Sequence, residues 1–249
     1  MPFDRKSFAF FLPNTFTALN MACGFMAMLQ SFKGEFYTAC LLIVLAAFFD
    51  MMDGRVARMT GTQSPFGEQF DSLSDLISFG MAPSILFYFR FLTDHGRLGI
   101  VLSFFFMLCG ALRLARFNAN IDKVKSDYFQ GLPIPAGACA IISFVLVSIS
   151  IPEIAYVSII PMVYIVFYGV LMISSIPFPS FKNSAYVNAH KKQVLMFIFI
   201  ILGSLFVYEE VMIPVLITLY VVSSLVYVVL NREKFAGIFD WKNDPDHEV

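Results

Sequence analysis

The chain has 249 residues, of which 58% are hydrophobic and 14% charged, with a formal net charge of −1 and a mean hydropathy of +0.75. Such a composition excludes a soluble globular domain, and a near-neutral balance gives no electrostatic footprint for nucleic acid. A span needs about 20 mostly apolar residues, and eight runs approach this: 8–32, 36–57, 70–92, 96–118, 131–150, 153–174, 193–208 and 210–230, the seventh being short. The expectation is an all-α, polytopic transmembrane bundle of six to eight spans forming a single domain over 1–249. Residues 1–174 would make a six-span core, and 175–249 a basic connection, two further spans and a tail.

The first run follows MPFDRKSFAFFLPN, which has no evident small-residue cleavage site, so an uncleaved span is expected rather than a removed signal peptide. Asn14 and Thr17 at its start read most simply as helix caps. With the N-terminus placed inside, one side collects Arg5, Lys6, Arg55, Arg58, Arg113, Arg116, Lys123, Lys125, Lys182, Lys191, Lys192, Arg232, Lys234 and Lys242, leaving Lys33, Arg90 and Arg97 toward the other. The positive-inside rule therefore predicts both termini on the cytoplasmic side of the cell (inner) membrane.

The second and third runs carry the informative segment, FFDMMDGRVARMTGTQSPFGEQFDSLSD, in which Asp50, Asp53, Asp71 and Asp75 interrupt apolar sequence. Each carboxylate at mid-membrane costs about 2.5–3.5 kcal/mol, so four together call for a bound cation. Gly61, Ser64 and Pro65 supply turn and helix-start chemistry, predicting a helical hairpin. Counted from residue 62, Asp53 and Asp71 are each nine positions away, hence about 13 Å along each helix at matched depth. Spacings of three and four put each pair on one helix face, so the two faces can converge. Gly54, Ala57 and Gly67 permit close approach of backbones or of a ligand's phosphates. Three or four convergent carboxylates form a hard oxygen site suited to Mg2+ or Mn2+, with Ca2+ also able to occupy it. The aspartate-bearing turn, and with it the site, would face the cytoplasm.

In the fourth run Arg113 and Arg116 are three apart, at neighbouring positions of one helix face near its cytoplasmic end, and both also fit as snorkelling anchors to lipid headgroups. Pro133 and Pro135 in LPIPAG suit the start of the fifth helix, where a missing backbone donor is tolerated. Lys123, Lys125 and the basic 182–192 connection can attract anionic membrane lipids. Glu153, Glu209 and Glu210 read as outer loop charges, and Asp94, His95, His190 and His247 as solvated groups in connections or the tail. Cys23, Cys40, Cys109 and Cys139 sit in apolar runs without ligand patterning and read as packing residues.

Residues Asp50 to Asp75 resemble the signature of the CDP-alcohol phosphotransferase family at eight positions across 26 residues. LPNTFTALNMACG at 12–24, SPFGEQFDSLSDLISFGMAPS, CGALRLARFN at 109–118 and FQGLPIPAGA at 129–138 are similar to the branch of that family that uses serine as acceptor; the resemblance spans about residues 10–140. It implies transfer of a phosphatidyl group from CDP-diacylglycerol to the hydroxyl of L-serine, with release of CMP. It also implies Asp50, Asp53 and Asp71 as principal ligands of one or two divalent ions, with Asp75 touching the metal or serving as the catalytic proton acceptor. By the same resemblance Asn14, Thr17, Gly54, Ala57, Arg58, Ser64 and Gly67 would meet the CDP-diacylglycerol, and the protein would be a homodimer.

For the acceptor, arginine suits a carboxylate because its planar fork donates two parallel hydrogen bonds. At least one of Arg113 and Arg116 is expected on the serine carboxylate, with Asn118 nearby. The aspartate signature does not separate serine from glycerol 3-phosphate, an inositol phosphate or choline as acceptor. A cation or proton transporter is the rival of another class, but it needs no arginine and glycines at fixed offsets from the aspartates.

Overall fold

The computed structural model describes residues 5–119, 128–151, 159–179 and 209–230. The expected span 193–208, Lys123, Lys125, Lys182, Lys191, Lys192, Glu153, His190, His247 and the tail lie outside the described residues.

Helix α1 (Arg5–Phe32) and helix α2 (Phe36–Thr60) form an antiparallel pair with the most extensive helix–helix contact among the described residues. The turn between them uses Gly34 at φ 79°, a left-handed conformation open to glycine at no steric cost. Helix α2 ends on Gly61 at φ 65°, whose N–H bonds to the Ala57 carbonyl. Three residues later Ser64 caps helix α3 (Pro65–Asp75): its Oγ accepts from the Gly67 N–H at 3.1 Å, and Pro65 occupies the first helical turn. The predicted hairpin is therefore present, with its turn at Gly61–Ser64.

Immediately after Asp75 the chain widens into a π-turn (Leu76–Met81), returns to α-geometry in α4 (Ala82–Phe87), and widens again over Tyr88–Leu92. A short 3₁₀ turn, Thr93–His95, and Gly96 at φ 52° reverse the chain into α5 (Gly96–Ala119). Asp94 and His95 thus lie in a tight reversal, and the His95 Nδ1 is buried without a hydrogen-bond partner among the described residues. Helix α6 (Ile134–Ser150) opens with Pro133 as its cap and Pro135 in its first turn, as LPIPAG predicts. Helix α7 (Ile159–Ile173) and helix α8 (Glu209–Leu230) follow. Glu209 and Glu210 lie in α8 rather than in a loop.

One departure from the all-α expectation is a two-stranded antiparallel ribbon, β1 (Tyr128–Gln130) with β2 (Pro177–Pro179), in which Phe129 faces Phe178. Strands of three residues are too short to leave a period-2 pattern in the sequence.

Small residues set how closely the helices approach. A Cβ on Gly24 of α1 would run into the backbone and hydroxyl of Ser78, and one on Gly110 of α5 would press on Ile134. Two hydroxyls then fasten the third helix to the first: Ser74 Oγ donates to the Thr17 carbonyl at 3.0 Å, and Ser78 Oγ to the Asn20 carbonyl at 2.9 Å. Phe79, Phe87, Phe106, Ile141 and Leu146 fill the interior, while Phe25, Phe48, Phe104, Val163 and Leu219 are exposed on the outside. Cys23, Cys40 and Cys109 are buried, as packing residues should be.

Among the described residues, Phe36–Thr60, Pro65–Ala119 and Val211–Leu230 are helical stretches long and apolar enough to cross a membrane; Ile134–Ser150 and Ile159–Ile173 are shorter apolar helices. With its apolar outer surface, this is an integral membrane protein of helical class.

Candidate metal and phosphate site

Convergence of the aspartates follows from the hairpin. Asp50 and Asp53 descend α2 from the turn, Asp71 and Asp75 descend α3, and one oxygen from each of Asp50, Asp53 and Asp71 lies within 4.8 Å of the others. Asp53 is held by a 2.9 Å hydrogen bond from Thr17 Oγ1, so the first helix also shapes the cluster. Asp75 lies against Asp50, and its Oδ1 accepts from the Asn20 Nδ2 at 3.4 Å. Like-charge repulsion from Asp50 and Asp53 acts on Asp71.

These residues fit a divalent ion. Hard cations take carboxylate oxygens at about 2.0–2.6 Å, so oxygens within 4.8 Å of one another can share one. Asp71 Oδ1 is buried with no hydrogen-bond partner among the described residues, which is the expected state of an oxygen reserved for a ligand. The hydrogen bond to Asp53 comes from a neutral hydroxyl, with the Arg58 charge acting on the same carboxylate.

Above the cluster, toward the hairpin turn, an open cavity is bounded by Asp53 and Asp71 on one side. Its remaining wall includes all of Asn14, Thr17, Gly54, Ala57, Arg58, Ser64 and Gly67, the residues expected against the donor. Pro13, Thr62, Gln63 and Glu68 complete it. Asn14 and Thr17 do not cap a helix, because α1 begins at Arg5 and both stand inside it. Ser64 does cap α3 and also lines the cavity. A side chain at Gly67 would meet Ser64 Oγ and Asn14 Oδ1, and one at Gly54 would meet the Arg58 guanidinium. Glycine at both positions keeps the cavity wall open.

The two arginines of α5 part company. Arg116 donates from Nη1 to the Ile173 carbonyl at 2.9 Å and from Nη2 toward the carbonyls of Gln130, Ser174 and Met172 at 3.0, 3.1 and 3.3 Å. It neutralises the carbonyl end of α7 and ties it to β1. Arg113 instead turns inward: it is buried, its charge interacts with that of Asp75, and its Nε has no hydrogen-bond partner among the described residues. Tyr220 of α8 lies near enough to interact with Arg113, so α8 reaches the site. Asn118 Nδ2 donates to Ser72 Oγ at 2.9 Å, fixing α5 to α3 beside the aspartates.

Asn20 is absent from the sequence-based set of site residues, although it is fully buried beside Asp75. Its signal was the three-residue spacing Asn14, Thr17, Asn20, which puts all three on adjoining positions of one helix face.

A family model described as CDP-alcohol phosphatidyltransferase matches residues 10–229. The chain is 35% identical over 240 residues to a Helicobacter pylori CDP-diacylglycerol–serine O-phosphatidyltransferase, covering 91% of this chain and 98% of that protein. It is 41% identical over 179 residues to the archaetidylserine synthase of Methanothermobacter thermautotrophicus, covering 71% and 73% of the two chains. Against the Bacillus subtilis CDP-diacylglycerol–serine O-phosphatidyltransferase, identity is 35% over 184 residues, covering 72% of this chain and 95% of that one.

Proposed function

The chain belongs to the CDP-alcohol phosphatidyltransferase family, and from that premise we propose that it transfers the phosphatidyl group of CDP-diacylglycerol to L-serine, releasing CMP. The carrying observation is the juxtaposition of an aspartate cluster with a cavity lined by every residue expected against the donor. The similar proteins, two CDP-diacylglycerol–serine O-phosphatidyltransferases and an archaetidylserine synthase, support serine as the acceptor.

Asp50, Asp53 and Asp71 would hold a divalent ion, Mg2+ or Mn2+, which when bound offsets pyrophosphate charge and stabilises the departing phosphate. The remaining work falls to the protein. Gly54, Ala57 and Gly67 let the CDP moiety lie against the hairpin, and Arg58 and Ser64 stand where its phosphates enter. Thr17 serves through Asp53, which it orients. Arg113 takes the serine carboxylate, while Arg116 is occupied with backbone carbonyls.

Asp75 accepts the proton of the serine hydroxyl as that oxygen bonds to the phosphatidyl phosphorus and the bond from phosphorus to the CMP oxygen breaks. General-base help of this kind contributes about 10²–10⁴ in rate. The proposal places the site on the cytoplasmic face of the cell membrane, with both termini inside, and takes the protein to be a homodimer. Purified protein supplied with CDP-diacylglycerol, magnesium or manganese, and one alcohol at a time tests the acceptor: serine should drive CMP release. Release with glycerol 3-phosphate but not with serine would reverse the assignment.

A further inference from the structure

Two buried side chains, one bonded to Asp75 and one feeling its charge, each keep an atom with no partner among the described residues, and the two atoms need opposite things. Asn20 Oδ1 is an acceptor and Arg113 Nε a donor. Asn20 is 0% exposed and Arg113 7%. Native interiors seldom leave such groups unmatched unless a ligand, ion or water completes them. Asn20 Nδ2 donates to Asp75 Oδ1 at 3.4 Å. The reverse amide orientation would set two acceptors against each other, so the carbonyl end of the amide is the one left over.

Packing fixes this residue in place. The Asn20 carbonyl accepts from Ser78 Oγ at 2.9 Å, and one turn along α1 the backbone touches the same serine at Gly24. The amide is thus presented to Asp75 from α1, while Arg113 reaches the same carboxylate's field from α5.

An amino-acid acceptor brings a hydroxyl, an ammonium that only donates and a carboxylate that only accepts. We infer that Asn20 is the specificity-determining residue for the acceptor's ammonium, its Oδ1 accepting one ammonium N–H while Arg113 holds the carboxylate and the hydroxyl points to Asp75. The inference rests on the serine reading above and deepens it. A neutral amide suits the role because a fifth carboxylate would compete with the cluster for the divalent ion. The same pair disfavours both half-matched acceptors: ethanolamine leaves Arg113 unpaired, and a hydroxy acid leaves the Asn20 carbonyl unpaired.

The test compares L-serine with 3-hydroxypropionate, which keeps hydroxyl and carboxylate but lacks the ammonium, by CMP release from CDP-diacylglycerol. Wild-type kcat/KM should favour serine by at least about tenfold, the value of one hydrogen bond to a charged group. In Asn20→Leu, and in the smaller Asn20→Ala, the serine KM should rise about ten- to a hundredfold and the preference over 3-hydroxypropionate should fall toward unity. The KM for CDP-diacylglycerol should change less than about twofold. A wild type that uses both acids equally well, a result that needs no variant, overturns the inference; so does a parallel loss for both acids in the variants. Wild-type turnover with glycerol 3-phosphate and none with serine would instead overturn the acceptor reading beneath it.

Discussion

The proposed donor side and the proposed acceptor side of this site are built in different ways. The donor cavity comes largely from one hairpin, residues 53–71, with Asn14 and Thr17 added from α1; it is open and walled by glycines. The proposed acceptor side is assembled from Asn20 on α1, Asp75 at the end of α3, Arg113 on α5 and Tyr220 on α8, and its Asn20 and Arg113 are buried. A local motif can position a nucleotide common to many reactions, whereas the choice of alcohol depends on side chains brought together by the whole bundle. Substitutions on the two sides should therefore separate cleanly in their kinetics.

The largest effect is expected where the sides meet. Asp71→Asn removes a proposed ligand oxygen that has no other partner among the described residues, and CMP release should fall by about a thousandfold or more, with both KM values ill-defined. Asp75→Asn should lower kcat by about 10²–10⁴ while CDP-diacylglycerol still binds. Next come the side-specific changes. Arg113→Lys should raise the serine KM by about tenfold or more with the donor KM unchanged, since a point charge replaces a fork. Gly67→Val should do the opposite, raising the donor KM about tenfold by filling the cavity wall beside Asn14; equal effects of both changes on both substrates would erase the distinction. The smallest kinetic effect belongs to Gly24→Ala, whose methyl group collides with Ser78. It should cost about 1–3 kcal/mol of stability, read as a lower unfolding midpoint in detergent.

Legibility in the sequence follows the same divide. Asp50, Asp53, Asp71 and Asp75 could be brought together on paper because helical spacing and a turn with Gly61, Ser64 and Pro65 determine where they go. Asn20 shares the spacing of Asn14 and Thr17 but is neutral and lies in an apolar run, so only its place beside Asp75 reveals it. Arg113 and Arg116 are equivalent in sequence; what separates them is that α7 and β1 offer carbonyls to one and not the other. The π-turn after Asp75 left no trace in residue pattern either. Its residues Ser78 and Gly80 are small, and they meet α1 and α6 at distances that only the folded bundle defines.

The central claim is that two neighbouring helices jointly hold a divalent cation against the donor's pyrophosphate. The most direct measurement is CMP release from CDP-diacylglycerol and L-serine by protein stripped with a chelator, followed by titration with magnesium or manganese. Turnover should vanish on stripping and return with added metal in the wild type, but not in Asp53→Asn; full-rate turnover by the stripped protein would contradict the account.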